Sequence, residues 1–316
     1  MKMKNIKIFL TLVVALSIVS CSDFLDKAPT TSQSTEVTLS NFAGLDKAAY
    51  GAMMPMYSWY STSYILTNEM RSGNGRREND GQFQSGRYAT EYIWNYSADN
   101  TSGMWGNAYY VISAANNVIN NLEGKDQEAG VTMQDLNNLK AECLFTRALA
   151  HHILVLYYAQ PFTYQPDGPG VSVVLVSDLS TPARNTTREV YAQIVADLTE
   201  AEQIIDPDYV RSGVIDAKAT VTLPAIQALL SRVYLYMGEW QKAADYATKV
   251  INNGKYSLWT AEELPTVWTK DVADNGGEII MEFYGKKSNG YYPAQLRLAY
   301  GFHNLLHYYQ ELTLAV

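Results

Sequence analysis

From residue 105 onward, apolar positions recur at spacings of three and four with polar residues between them, the pattern of amphipathic helices. Trp105 to Leu122 carries Tyr109, Ile112, Ala115, Asn116 and Ile119 on one face. Gln134 to Tyr158 predicts a longer helix, stepping through Leu136, Leu139, Cys143, Thr146, Ala150, Ile153 and Tyr157. Thr186-Thr187-Arg188-Glu189 has the form of a capping box: the first threonine can satisfy an orphan N–H while the glutamate reaches back. The helix it opens shows Val190, Ile194, Leu198, Ala201 and Ile205 and stops at Asp206-Pro207-Asp208. Leu223 to Met237 is almost wholly apolar, Gly238 permits a left-handed turn, and Glu239 to Asn253 continues with Trp240, Ala243, Ala244, Ala247, Val250 and Ile251. Upstream, Phe42, Leu45, Ala49 and Met53 predict a helix from Asn41 to about Met56, capped by Ser40 or Asn41.

The 223–253 hairpin has the frame Tyr234-x3-Gly238-x4-Ala243-x3-Ala247, which resembles a tetratricopeptide repeat. Small residues at 243, 244 and 247 are expected to let its two helices approach closely. Strand signals are few: Val171 to Val176 is β-branched between Gly and Pro signals, and Glu278 to Tyr284 is a short apolar run. The pattern therefore predicts a mostly α fold, a degenerate tetratricopeptide-like helix-pair solenoid with long irregular loops and minor β.

Residues 57–104 break the periodicity. They hold Gly73, Gly75, Gly81, Gly86 and Gly103, with many Asn and Arg, and read as a loop-rich insert. Their rings (Trp59, Tyr60, Tyr64, Phe83, Tyr88, Tyr92, Trp94 and Tyr96) argue against disorder. A long irregular stretch that is ordered is usually functional.

The first 20 residues read as an export signal. Lys2, Lys4 and Lys7 precede an apolar run too short for a bilayer-spanning helix. Ile18-Val19-Ser20-Cys21 looks like a bacterial lipobox, which implies a lipid on Cys21. The expected organisation is a signal peptide over 1–20, a polar tether over 21–40, and one helical domain over 41–316.

Composition narrows the function classes. The chain has 316 residues, 47% of them hydrophobic, and a net charge of −8. Loss of residues 1–20 removes three lysines and no acid, making the charge more negative still. A general nucleic-acid binder needs a basic face, so that class is disfavoured. Tyrosine is abundant, at 24 against 8 Phe, and a ring with a polar tip suits recognition surfaces. Two cysteines make no disulfide framework; Cys143 falls in an apolar helical pattern and reads as a buried hydrophobe. The sequence carries no G-x-S-x-G, H-E-x-x-H or P-loop motif, and Gly73-Asn74-Gly75-Arg76-Arg77-Glu78 lacks the third glycine of a dinucleotide loop. His151 and His152 are adjacent on a helix, so their side chains diverge by about 100° and share a metal poorly. They read instead as a partly buried, aromatic-like pair. No catalytic residue, metal or cofactor is assigned.

Five segments, in order, resemble the SusD/RagB family of outer-membrane nutrient-binding lipoproteins of Bacteroidetes. They are Cys21-Ser22-Asp23-Phe24-Leu25-Asp26 with Pro29; Trp105-x3-Tyr109-x2-Ile112-x2-Ala115-Asn116; Ala141-Glu142 through Arg147-Ala148-Leu149 to Pro161; Pro182-x-Arg184-x-Thr186-x2-Glu189-Val190-Tyr191 on to Ala201; and Ala228 to Tyr236. His151-His152 stands where the family usually has aromatics, and Val171-Ser172 replaces the usual Val-Pro. The chain stops where the family's C-terminal portion, with another repeat helix pair, would begin. The resemblance implies a lipid-anchored outer-membrane protein facing the cell exterior, an oligosaccharide ligand, and a SusC-like TonB-dependent transporter as partner. Glu142, Arg147 and Arg184 match family motif positions and are read as scaffold ion pairs.

Sugar rings stack on aromatics, and their hydroxyls pair with Arg, Asn and carboxylates. The candidate ligand residues are Arg71, Asn74, Trp94, Tyr96 and Asn100 in the insert, with Tyr291 and Tyr292 after the last predicted strand. Arg76 is a further polar candidate. Trp94 reads equally as stacking platform or core anchor, whereas Trp105, at a helix start, is expected in the core. Two other classes stay open: a helical-repeat scaffold that binds protein through 57–104, and an anchored glycosidase. The latter needs two carboxylates about 5–9.5 Å apart, and nothing in the sequence pairs them.

Overall fold

A computed structural model describes residues 34–60, 64–75, 88–97, 103–214, 217–263 and 277–283. Within them the chain forms nine α-helices: α1 (Thr35–Thr38), α2 (Phe42–Ser58), α3 (Tyr64–Ser72), α4 (Ala89–Ile93), α5 (Met104–Ile119), α6 (Met133–Tyr158), α7 (Thr187–Ile204), α8 (Leu223–Met237) and α9 (Trp240–Asn252). Cys21, Asn100, Tyr291, Tyr292, Arg76 and the signal segment lie outside the described residues.

The helix starts follow local chemistry. Asn41, rather than Ser40, caps α2, its Oδ1 accepting from the Gly44 N–H at 2.9 Å. Thr186 and Glu189 form the reciprocal box at α7, and Thr132 with Asp135 builds a second one at α6. Such caps stabilise by about 1 kcal/mol each. Gly238 ends α8 in the left-handed region, at φ 75°, where a side chain would be strained.

Packing follows chain order. α2 lies on α5, α5 on α6, α6 on α7, α7 on α8, and α8 on α9. From α5 onward each helix covers its sequence neighbour, as a helix-pair solenoid requires. α6 is the hub, also touching α2 and α8, and is buried on all sides rather than along the single predicted stripe. A helix surrounded by others loses its polar face. Leu139, Leu144, Phe145, Ile153 and Leu154 fill the space between its neighbours.

Polar groups on α6 are therefore buried and paired. Arg147 reaches Asp197 of α7 by two hydrogen bonds and donates through Nη1 to Asn116 Oδ1 of α5 at 2.9 Å. Glu142 faces Arg211, with Nη2 to Oε2 at 3.0 Å, and Arg211 also binds Asp46 of α2. Two of the three expected scaffold ion pairs thus form. Arg184 departs from that reading: it donates to the carbonyls of Gly170, Tyr158 and Pro169 and meets no acid among the described residues.

The predicted strands are absent among the described residues, where an isolated bridge between Pro169 and Thr186 is recorded. Residues 171–176 are extended, but side chains take the place of a ladder. Tyr109 donates to Ser172 O, Asn116 to Val174 O, and the Val173 N–H donates to Asn185 Oδ1. With these groups satisfied, no partner strand is needed. Residues 277–283 are likewise irregular, although Ile279, Ile280 and Met281 are buried.

The 57–104 stretch is less irregular than its glycines imply. α2 runs into a π-helical turn at Trp59 and Tyr60, both buried core residues, and α3 and α4 occupy part of the rest. Trp105 is not in the core but 37% exposed. The buried face of α5 runs Met104, Ala108, Val111, Ile112, Ala115 and Val118, and Trp105 sits one residue, about 100°, off that stripe. In the hairpin, Ala243 and Val250 are buried, whereas Ala244 is exposed and Ala247 half-buried. Close approach of the two helices therefore rests on Ala243, whose carbonyl accepts from Ser231 Oγ at 2.8 Å.

Candidate ligand-binding site

α3 places Tyr64, Asn68 and Arg71 at i, i+4 and i+7, and so on one face. Opposite stand Tyr157, near the end of α6, and Tyr236, near the end of α8. With Gln160 and Phe162 of the following loop, and Tyr191 of α7, these residues line a cleft of about 390 Å³. Tyr64 and Tyr157 are tilted against each other with ring centres 5.6 Å apart. The Tyr157 hydroxyl donates toward Asn68 Oδ1 at 3.2 Å. Burial pushes both phenols above their ordinary pKa, so they stay protonated and able to donate.

Arg71 is the charged group of the cleft. Its Nε donates to the Tyr96 hydroxyl at 2.8 Å. Its guanidinium carbon lies 5.1 Å from the Tyr157 ring centre and 5.3 Å from that of Tyr96. Cation–π contacts of this kind stabilise by about 0.5–1 kcal/mol at exposed sites. They also hold the planar fork in one orientation.

Of the sequence candidates, the structure brings Arg71 and Tyr96 together at this cleft. Asn74 is exposed just beyond α3, in the turn at Gly73 where φ is 80°. Trp94 ends α4 in the left-handed region, at φ 58°, and is 66% exposed. It is a surface ring and not a core anchor. Tyr64, Asn68, Tyr157 and Tyr236 escaped the sequence reading of the site. The i, i+4, i+7 spacing of Tyr64, Asn68 and Arg71 was the available signal, within a stretch that its glycines marked as loop.

Trp105 lines a second groove of about 420 Å³ with Tyr109, Ser177 and Asp178. Its ring stands edge-on to Tyr158, 5.0 Å between centres, and the Trp105 backbone N–H donates to the Tyr158 hydroxyl. Nearby, His151 and His152 are both buried but have separate surroundings. His151 Nδ1 pairs with Arg147 O at 3.1 Å and Nε2 accepts from the Val174 N–H at 3.4 Å. His152 sits edge-on to Tyr191 and Tyr236, and neither of its ring nitrogens has a hydrogen-bond partner. Burial lowers both imidazoles to a pKa of about 3, so both are neutral.

The SusD-like family model described as "Starch-binding associating with outer membrane" matches residues 23–235. The chain belongs to this family. It is 31% identical over 260 residues to SusD-like protein P2 of Formosa agariphila, an alignment that covers 79% of this chain and 47% of that protein. Among solved structures, a putative sugar binding protein from Bacteroides vulgatus superposes with a TM-score of 0.64 at 26% identity, covering 78% of this chain and 55% of that one. A SusD superfamily protein from Bacteroides thetaiotaomicron gives 0.62 at 30% identity, covering 80% and 52%. The chain thus spans about half the length of the SusD-like proteins it matches. The mostly helical, tetratricopeptide-like architecture is that of SusD-type folds, and the family is one associated with the outer membrane. Among the described residues no helix is long and apolar enough to cross a membrane.

Proposed function

We propose that this SusD-like protein is a cell-surface, glycan-binding lipoprotein that delivers oligosaccharide to a SusC-like TonB-dependent transporter. Lipid on Cys21 would hold it to the outer membrane, since several acyl chains at one point anchor firmly. The observation that carries the binding role is the cleft of Tyr64, Tyr157 and Tyr236 around Arg71. It offers ring faces for the C–H faces of a sugar and fixed donors for its hydroxyls. Arg71, Asn74, Trp94, Tyr96, Asn100, Tyr291 and Tyr292 are the proposed contacts. The family description and the likeness to a putative sugar binding protein from Bacteroides vulgatus support the reading.

Two measurements test it. A glycan array probed with the purified protein should give saturable signals that Tyr157→Ala weakens at unchanged fold; an array blank for every glycan would overturn the binding role. Cys21→Ala should release the protein from membranes or leave it held by an uncleaved signal; normal cleavage with normal membrane attachment would overturn the anchor.

A protein-interaction scaffold is favoured by one observation. Trp240, Ala244, Ala247 and Ile251 lie at i, i+4, i+7 and i+11 along α9, and Trp240 and Ile251 are 66% and 68% exposed. That apolar stripe is unpartnered among the described residues. A blank glycan array combined with a specific protein partner lost on Trp240→Ser would select this second reading.

A further inference from the structure

The described arginines divide sharply by partner. Arg147 meets Asp197, Arg188 meets Asp167, Arg211 meets Asp46 and Glu142, and Arg184 is used up on carbonyls. Arg71 meets no carboxylate among the described residues. Its Nε donates to Tyr96, and Arg71 lines the cleft, whose described lining contains no Asp or Glu. The described walls thus carry one positive charge and no negative one, in a chain of net charge −8.

The rest of the described wall is uncharged, built of phenols, amides and apolar groups. Asn68 Oδ1 is already engaged by the Tyr157 hydroxyl, and that hydroxyl is directed at the protein itself. Tyr64, Tyr191 and Tyr236 offer phenols held in the protonated, donating form or exposed to solvent. Arg232, one turn before Tyr236 on α8, does not line the cleft, but its positive charge is felt at Tyr64, where it opposes the upward shift caused by burial. Phenols and amides both donate and accept, and so serve a neutral sugar as readily as a charged one. What the described wall adds is one arginine with no carboxylate beside it.

We propose that the cleft selects an anionic saccharide, one whose ring carries a carboxylate or a sulfate ester, with the Arg71 fork as the group that reads the anion. This rests on the glycan-binding reading above and names its substrate class. The planar guanidinium matches two oxygens of either oxyanion, and such charge-assisted pairs are about twice as strong as neutral hydrogen bonds. Tyr96 and Tyr157 fix the fork beforehand, so little freedom is lost when the anion arrives. The sugar ring then stacks on the tyrosines while its charged substituent meets Arg71.

Calorimetric titration of the full chain with two matched pairs tests the proposal. The pairs are a galacturonate tetrasaccharide with its methyl ester, and a sulfated galactan tetrasaccharide with its desulfated form. The charged member of at least one pair should bind roughly tenfold or more tightly than its neutral counterpart. Which pair shows the difference separates carboxylate from sulfate. Arg71→Gln should abolish that discrimination at unchanged melting temperature, and Arg71→Lys should keep part of it, because the charge remains and the fork is lost. The preference should shrink as salt rises. Equal binding of charged and neutral members, binding of neutral glycans alone, or discrimination that survives Arg71→Gln would each overturn the anionic class while leaving the glycan-binding reading in place. Failure of every glycan, charged or neutral, would overturn both.

Discussion

Arg147 and Asp197 meet through two parallel hydrogen bonds, Nε to Oδ2 at 2.8 Å and Nη2 to Oδ1 at 2.7 Å, with both side chains buried between α6 and α7. Asp197 Oδ1 also accepts from Gln193, and Arg147 donates onward to Asn116. One fork therefore ties three helices together. Removing one partner leaves the other charge buried and uncompensated, which typically costs about 3–5 kcal/mol. Arg147→Met and Asp197→Leu should each fall in that range by urea unfolding. The double variant should be less destabilised than the sum of the two, because neither charge is then stranded. Strict additivity would show that the pair does not couple.

His151 and His152 should respond oppositely to the same substitution. His152 has two buried ring nitrogens without partners and two edge-on aromatic neighbours. His152→Phe keeps the ring contacts and removes the unpaired atoms, so stability at pH 7 should rise by about 1 kcal/mol or more. His151→Phe strands the Val174 N–H and should destabilise. The acid limb gives a second readout. Both imidazoles have folded pKa values near 3, below the ordinary 6.5, so the folded state binds fewer protons. Their contribution is complete above about 6.5 and is lost as pH falls toward 3. His152→Phe should flatten that loss in a pH series of melting temperatures.

Glu142 acts with the opposite sign. Burial raises its pKa from 4.5 to about 7, against the pull of Arg211. The folded state holds the proton more tightly, so stability is greatest below about 4.5 and declines as pH rises through 7. The decline attributable to this group is at most about 3 kcal/mol. Glu142→Gln should remove it, gaining on wild type between pH 5 and pH 8, while Arg211 keeps Asp46. A constant difference across that range would mean that Glu142 is ionised throughout.

Local and tertiary information were unequally legible in the sequence. The Thr186–Glu189 box and the Gly238 turn were readable because each depends on residues three or four apart. The burial of α6 on every side was not, since its polar positions hide partners as distant as Arg147 and Asp197. Trp105 was misplaced by one residue of helical phase, enough to move a ring from the core to a groove wall. At the cleft, Arg71 and Tyr96 were found because both lie in the aromatic, arginine-rich insert. Tyr157 and Tyr236 were missed because they end long core helices, and only the packing of α6 and α8 brings them to α3.

The hairpin separates two alanines that the sequence treats alike. Ala243 is buried at the contact with Ser231, and Ala244 points to solvent. Ala243→Trp overpacks the interface and should cost about 1–3 kcal/mol or more. Ala244→Trp should leave the melting temperature unchanged. Equal effects at the two positions would contradict the α8–α9 packing.

Trp94 tests the proposed contacts. The ring is 66% exposed, so Trp94→Ala should barely move the melting temperature, whereas a core tryptophan would lose about 3–5 kcal/mol. If the ring is a stacking platform, the same change should weaken glycan binding by about 1–3 kcal/mol, by analogy with aromatic platforms for other flat rings. The backbone supplies a control. Trp94 sits at φ 58°, a region that glycine enters without strain, so Trp94→Gly should be as stable as wild type or slightly more stable. Both variants lack the ring and differ in backbone strain. Equal loss of glycan affinity in Ala and Gly forms would assign the effect to the ring itself. Loss in the Ala form alone would assign it to the shape of the turn, and unchanged affinity in both would remove Trp94 from the site while leaving Arg71, Tyr96 and Tyr157 to carry it.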